Sequence, residues 1–167
     1  MKAKVAFILG SDSDYPVIEN GIELLRRFGI ALEIEVSSAH RTPERTLQLV
    51  REFEADGVGV IIAVAGGAAH LPGVVASHTL LPVLGVPVPS PLLGLDSLLS
   101  IVQMPAGVPV ATFGIGAAGA ANAVLFAVSL LACHDPQLAE KLRDFRAEQR
   151  EKVLQKSRAL KDKLAKG

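Results

Sequence analysis

Tryptophan is absent, tyrosine occurs once (Tyr15) and cysteine once (Cys133); aromatic residues make up 4% of 167 positions. A lone cysteine excludes an intramolecular disulfide and a multi-cysteine metal cluster, and it fits a reducing, cytoplasmic compartment. Excess charge of either sign is missing too, with 17 Lys+Arg against 17 Asp+Glu and a pI near 6.9. Such a chain lacks the basic face and stacking aromatics of a general nucleic-acid binder, so no nucleic-acid partner is expected. Long hydrophobic runs are also lacking. The N-terminal apolar run passes at once into the polar GSDSD, so no signal peptide is expected. The longest apolar helix candidate, Ala117 to Cys133, is short for a membrane span and holds Asn122, so no membrane partner is expected. What the chain has in quantity is aliphatic side chain: it is 50% hydrophobic, which excludes disorder, and its length suffices for one domain, or one domain with an appendage.

Charge is unevenly placed. Residues 1–56 carry 17 charged side chains and residues 135–167 carry 16, whereas Gly57 to His134 holds only Asp96. A 78-residue stretch with one charge has little with which to cover its own solvent-facing surface. Either the two charged flanks bury it, or other copies of the chain do, because an exposed apolar area of that size invites aggregation. The second reading is preferred, and a homo-oligomer larger than a dimer is expected.

The patterning alternates strand and helix. Lys4–Leu9 reads as a buried parallel strand. Asp14 as cap and Pro16 in the first turn open a helix carrying Val17, Ile18, Ile22, Leu25 and Phe28, which Gly29 closes. Ala31–Ser37 alternates apolar and charged residues, as a strand near an edge does. Thr42-Pro43 opens a second helix that ends at Gly57. Strands are expected at Val58–Ala65, Pro82–Val86 and Val108–Phe113, and helices at Leu71–His78, Leu95–Val102 and Ala117–Cys133. The last of these is apolar almost all round and is expected to be buried on several sides, with Cys133 buried. Asp135-Pro136 starts a charged final helix. The alternation predicts a doubly wound three-layer α/β/α domain over residues 1–134 with a mainly parallel five-stranded sheet. Residues 135–167 form an appended C-terminal helix, within the same domain or on a neighbouring subunit.

In such a sheet, ligands bind beyond the C-terminal strand ends. Three of those ends carry unusual loops. Gly10-Ser11-Asp12-Ser13-Asp14 enters a helix N-terminus, where backbone N–H groups and the Ser11 and Ser13 hydroxyls suit a phosphate. Asp14 reads as a helix cap or as an acceptor for ribose hydroxyls. Ser38-Ala39-His40-Arg41-Thr42-Pro43 sets a side chain that exchanges protons beside one that grips phosphate; the plainer reading pairs Arg41 with a helix carboxylate. Ala65-Gly66-Gly67-Ala68-Ala69-His70-Leu71-Pro72-Gly73 lets backbone approach a ligand, or is simply a tight turn with His70 as a polar cap. No carboxylate pair suits glycoside hydrolysis, and GxSxG does not occur. The P-loop and GxGxxG patterns are missing, and His40, His70 and His78 lack metal-ligand spacing.

Read together, GSDSD (10–14), SAHRTP (38–43), AGGAAHLPG (65–73), PVLGVPV (82–88), GLDSLLSIVQMP (94–105), GVPVAT (107–112) and AGAANA (118–123) closely resemble the 5-(carboxyamino)imidazole ribonucleotide mutase family of purine biosynthesis. The resemblance implies a flavodoxin-like fold, an octamer, and transfer of a carboxylate from the exocyclic nitrogen to ring C4 of an aminoimidazole ribonucleotide. It implies no cofactor and no metal. It makes His40 the acid–base catalyst. Ser11, Ser13, Asp14, Ser38 and Arg41 become substrate-binding positions, while Gly66, Gly67 and Ala68 line the base and carboxylate pocket beside His70. Tyr15, His78 and Ala106 depart from the commonest family residues without removing a catalytic group. The rival activities are a direct carboxylase using free carbon dioxide and a non-catalytic flavodoxin-like module that binds nucleotide or flavin. A receiver-type signalling domain is a third rival, although the third loop offers glycines and His where such a domain needs an acidic pocket.

Overall fold

The computed structural model describes residues 4–165. Five strands form one parallel sheet: β1 (Lys4–Leu9), β2 (Ala31–Val36), β3 (Val60–Ala65), β4 (Val83–Pro87) and β5 (Ala111–Thr112), in the order β2-β1-β3-β4-β5. The helices are α1 (Tyr15–Phe28), α2 (Pro43–Ala55), α3 (Leu71–Ala76), α4 (Leu95–Val102), α5 (Ala117–Ala132) and α6 (Pro136–Ala165). Helices lie on both sides of the sheet, giving the expected three-layer α/β/α arrangement.

Strand composition follows strand position. β1, β3 and β4 are inner strands, and their near-continuous apolar runs are buried on both faces. β2 lies at the edge, and its ALEIEV is only partly covered. There Glu33 pairs with Lys4 of β1. Successive side chains of β1 go to opposite layers. Ala6 and Ile8 join Leu49, Val50 and Phe53 of α2, Val75 of α3 and Ile101 of α4 in one buried cluster. Phe7 faces the other layer, where α1 and α5 meet closely over Gly21. The buried stripe of α1 is Ile18, Gly21, Ile22, Leu25 and Phe28, and Gly29, at φ 72°, ends the helix with its N–H bonded to Leu25 and Arg26 carbonyls.

Some boundaries differ from the sequence reading. The fifth strand shrinks to two residues, flanked by Pro109, which has no N–H to give a ladder, and Gly114. The third begins at Val60, because the Gly57 turn hands the chain over through a bond from Gly59 N–H to Lys4 O. Helix α5 buries one stripe, including Ala120, Ala123, Val124 and Ala127, while Ala118, Asn122 and Phe126 are exposed. A single chain therefore does not bury this helix on several sides.

The chain divides into two compact units, Met1–Ala127 and Val128–Gly167. The second contains the end of α5 and all of α6. Asp135 caps α6 by accepting from the Gln137 and Leu138 N–H groups, both at 3.0 Å. Leu138 and Leu142 are its only buried residues, and Val153, Leu154, Leu160 and Leu164 are exposed. Cys133 is exposed, contrary to expectation; it lies past the end of α5, where its thiol donates to Ser129 O. No helix is long and apolar enough to cross a membrane among the described residues.

Gly85 of β4 sits under α4. A Cβ there would come within 2.5 Å of Ile101 Cγ2 and 3.0 Å of Val110 Cγ1. Gly85→Ala should therefore destabilise the chain by about 1–3 kcal/mol through overpacking, read as a lower urea midpoint. An unchanged midpoint would show that the β4–α4 layer has slack.

Candidate active site

The sheet order creates the site. From β1 the chain crosses to β2 on one side and then to β3 on the other, so the loops after β1 and β3 diverge from a common crevice. Gly10 N–H donates to Val64 O at 2.9 Å, fixing the two exits side by side. A cavity of about 310 Å³ opens there. Of the ten expected site residues, Asp14, Ser38, His40, Arg41, Gly66, Ala68 and His70 line it, together with Gly10, Ala39, Ala65 and Leu71. Ser11, Ser13 and Gly67 do not.

In the first loop, Ser11 and Asp14 form a capping box around a short 3₁₀ turn, Asp12–Asp14. Ser11 N–H donates to Asp14 Oδ2 at 3.0 Å, and Ser13 N–H donates to Ser11 Oγ at 3.3 Å. Asp14 thus folds back on the loop and makes no side-chain cap bond to α1, which corrects the cap assignment. The Ser13 hydroxyl donates to Ser11 Oγ at 2.9 Å, so both serines are engaged within the loop. Asp14 is 7% exposed.

The second loop is tied by hydroxyls. Thr42 Oγ1 accepts from Ser38 N–H and donates to Ser38 O, both at 3.0 Å, and Ser38 Oγ accepts from Arg41 N–H at 3.3 Å. Beneath it, Ser37 Oγ meets Thr46 Oγ1 at 2.8 Å; both residues are buried. This network holds His40 and Arg41 at the strand tip. Among the described residues no carboxylate pairs with the Arg41 guanidinium; the plainer reading of that residue is not what the structure shows, and it is Arg45 that pairs with Glu52 and Glu35.

The third loop turns at Gly67, whose φ of 63° favours glycine. Its N–H donates to the hydroxyl of Ser97, at 2.9 Å. His70 begins α3 without a side-chain cap bond. Its ring meets His40 instead: His40 Nε2 and His70 Nδ1 are 2.8 Å apart, with ring planes at 85°. One of these two nitrogens carries the proton and the other accepts it. Sequence reasoning missed Ser37, Thr46 and Ser97, which support the loops from below; their only signal was a hydroxyl at an otherwise apolar position. Among the described residues no three His, Cys, Asp or Glu side chains converge as a metal site.

Burial pushes the Asp14 carboxyl up, outweighing the opposing bond from Ser11 N–H, and neighbouring Asp12 adds to the rise. The folded chain then holds this proton more tightly than the unfolded chain does. Ionised Asp14 therefore costs stability. That cost is complete above the raised folded value, and it disappears as pH falls below the ordinary carboxyl value, about 4. Asp14→Asn keeps an oxygen for Ser11 N–H and should melt higher than wild type at neutral pH, the gap closing on acidification. A gap that is negative at neutral pH, or constant with pH, would contradict the burial argument.

The AIR carboxylase family model matches residues 4–152. The chain is 56% identical over 155 residues to the N5-carboxyaminoimidazole ribonucleotide mutase of Pseudomonas aeruginosa, covering 92% of this chain and 95% of that one. It is 51% identical over 162 residues to that of Pyrococcus horikoshii, covering 96% and 90% respectively. A crystal structure of Treponema denticola PurE superposes with a TM-score of 0.87 at 27% identity, over 96% of this chain and 99% of that one. Matched along nearly its whole length in sequence and fold, the chain belongs to the AIR carboxylase family.

Proposed function

We propose that this chain is a mutase that converts 5-(carboxyamino)imidazole ribonucleotide to 4-carboxy-5-aminoimidazole ribonucleotide in purine biosynthesis. The observation that carries the reading is the meeting in one small cavity of the Asp14 carboxylate from the first loop with the His40 imidazole and the Arg41 guanidinium from the second, the guanidinium having no carboxylate partner among the described residues. Relatives more than half identical to this chain bear the mutase name, which favours this activity over direct carboxylation. A flavin module is disfavoured because Tyr15 is the only aromatic residue of the first loop region, leaving little to stack on an isoalloxazine.

The chemistry needs one proton moved twice. Protonating the carbamate nitrogen breaks its bond to the carboxylate, releasing carbon dioxide and an aminoimidazole nucleophilic at C4. C4 then attacks the carbon dioxide, and its own proton leaves to restore aromaticity. His40 gives the first proton and takes the second, so the enzyme ends as it began. His70 holds the His40 ring in place before substrate arrives. The remaining rate comes from confining carbon dioxide beside C4, since well-oriented partners behave as if at about 10⁵ M or more. Gly66 and Ala68 leave room for it. Arg41, Ser11, Ser13 and Ser38 hold the phosphate and Asp14 accepts from the ribose. Holding the phosphate means exchanging the Ser11–Ser13 bond for phosphate oxygens. Binding energy from that distant end positions the ring.

The chain works in this reading as a cytoplasmic homo-oligomer, an octamer by family resemblance, with residues 135–167 appended to a catalytic domain of residues 1–134. Support comes from the nearly uncharged middle, where Leu80 is fully exposed and Leu93 is 82% exposed.

The purified protein should convert the N-carboxylated nucleotide to the C-carboxylated one without ATP or added bicarbonate; a requirement for either would select the carboxylase. His40→Asn should assemble normally and lose about 10²–10⁴ in turnover, and near-normal turnover would remove His40 from the mechanism. Arg41→Ala should raise KM by about 10- to 100-fold, the worth of a charge-assisted phosphate contact, and an unchanged KM would move the phosphate elsewhere.

A further inference from the structure

Ser97 lies outside the cavity, on the first turn of α4, and is fully buried. Its hydroxyl does two things at once. It accepts from Gly67 N–H at 2.9 Å and donates to Val88 O, also at 2.9 Å. Donor and acceptor capacity are thus both directed, and the hydroxyl is locked against rotation. Val88 is itself tied to the end of β3, its N–H bonded to Ala65 O at 2.9 Å. Ser97 therefore bridges two strand exits to a third element. No residue of α4 lines the cavity.

In a trans peptide the N–H and the preceding C=O point in opposite directions, and the described residues include no cis bonds. With Gly67 N–H turned into α4, the Gly66 carbonyl is turned away from α4, and Gly66 is among the residues that line the cavity. No side chain packs where a Gly67 Cβ would be, and the Gly67 carbonyl accepts from Ala69 N–H at 2.8 Å and from the Ser100 hydroxyl at 3.4 Å. The N–H side of the Gly66–Gly67 peptide is held by the Ser97 hydroxyl.

We propose that Ser97 is a positioning residue for the reaction: it sets the Gly66–Gly67 peptide so that the loop offers the bound imidazole a carbonyl acceptor and withholds the Gly67 N–H. The group this acceptor suits is an N–H donor on the heterocycle, such as the exocyclic amine released when the carbamate breaks. The inference rests on the mutase reading and deepens it. Phosphate binding lies with other loops, so loss of Ser97 should act on the reacting end.

The test is Ser97→Ala, assayed below the melting temperatures of both proteins, with Leu25→Ala as a core variant of lowered stability remote from the site. Ser97→Ala should lose on the order of tenfold or more in kcat with KM nearly unchanged, while Leu25→Ala keeps its kcat. Hydrogen–deuterium exchange over residues 65–70, which needs no substrate, should accelerate in Ser97→Ala by at least about tenfold, as a bonded amide is freed. A kcat within about twofold of wild type, a loss confined to KM, or unchanged exchange overturns the proposal. A wild-type protein that fails to interconvert the two nucleotides removes the mutase reading alone, because the exchange measurement still decides whether Ser97 holds the loop.

Discussion

The pairing of β1 with β3 is the constraint on which the rest of the molecule depends. Val5 to Leu9 lie in parallel register with Val60 to Val64, and the ladder ends in the bond from Gly10 N–H to Val64 O. Because β2 sits on the far side of β1, the chain leaves these two adjacent strands in opposite directions. A crevice at the strand ends is then unavoidable, and Asp14, His40 and His70 are brought to it from different parts of the chain. A one-residue slip would turn Phe7 and Ile8 to the wrong layers and misplace every loop that follows.

Much of this was readable in the residues. The inner strands announce themselves as apolar runs, and the alternating ALEIEV of β2 marks an edge. Helix starts were legible where Pro follows a polar residue, as at Pro43 and Pro136. The failures lie at the ends of elements, where a few neighbouring residues decide the outcome. Asp14 occupies a cap position, yet its carboxylate turns back to Ser11 because burial and the 3₁₀ turn leave that N–H as its partner. β5 is cut short by Pro109 and Gly114 at the sheet edge. Cys133 follows an apolar helix and was expected to be buried, yet it lies exposed beyond the helix end.

Within the site, residue types were legible and long-range contacts were not. His40, Arg41, Gly66 and His70 could be picked out because their residue types are unusual at strand tips. The contact between His40 and His70 could not, since 30 positions separate them. Nor could Ser97, equally distant from the peptide it holds. Side chains that touch a ligand are recognisable by their chemistry, whereas those that set loop geometry look like ordinary serines and threonines. The hydroxyl ties of Ser37, Thr42 and Thr46 under the second loop are of that kind.

In the proposed reaction one carboxyl group leaves nitrogen and returns to carbon without escaping. The decisive experiment supplies N-carboxylated nucleotide labelled with ¹³C in the carboxylate to the protein in unlabelled bicarbonate buffer. The C4 carboxylate of the product should keep the label through the first turnovers. Product carrying carbon from the buffer would contradict confinement and point to uptake of free carbon dioxide.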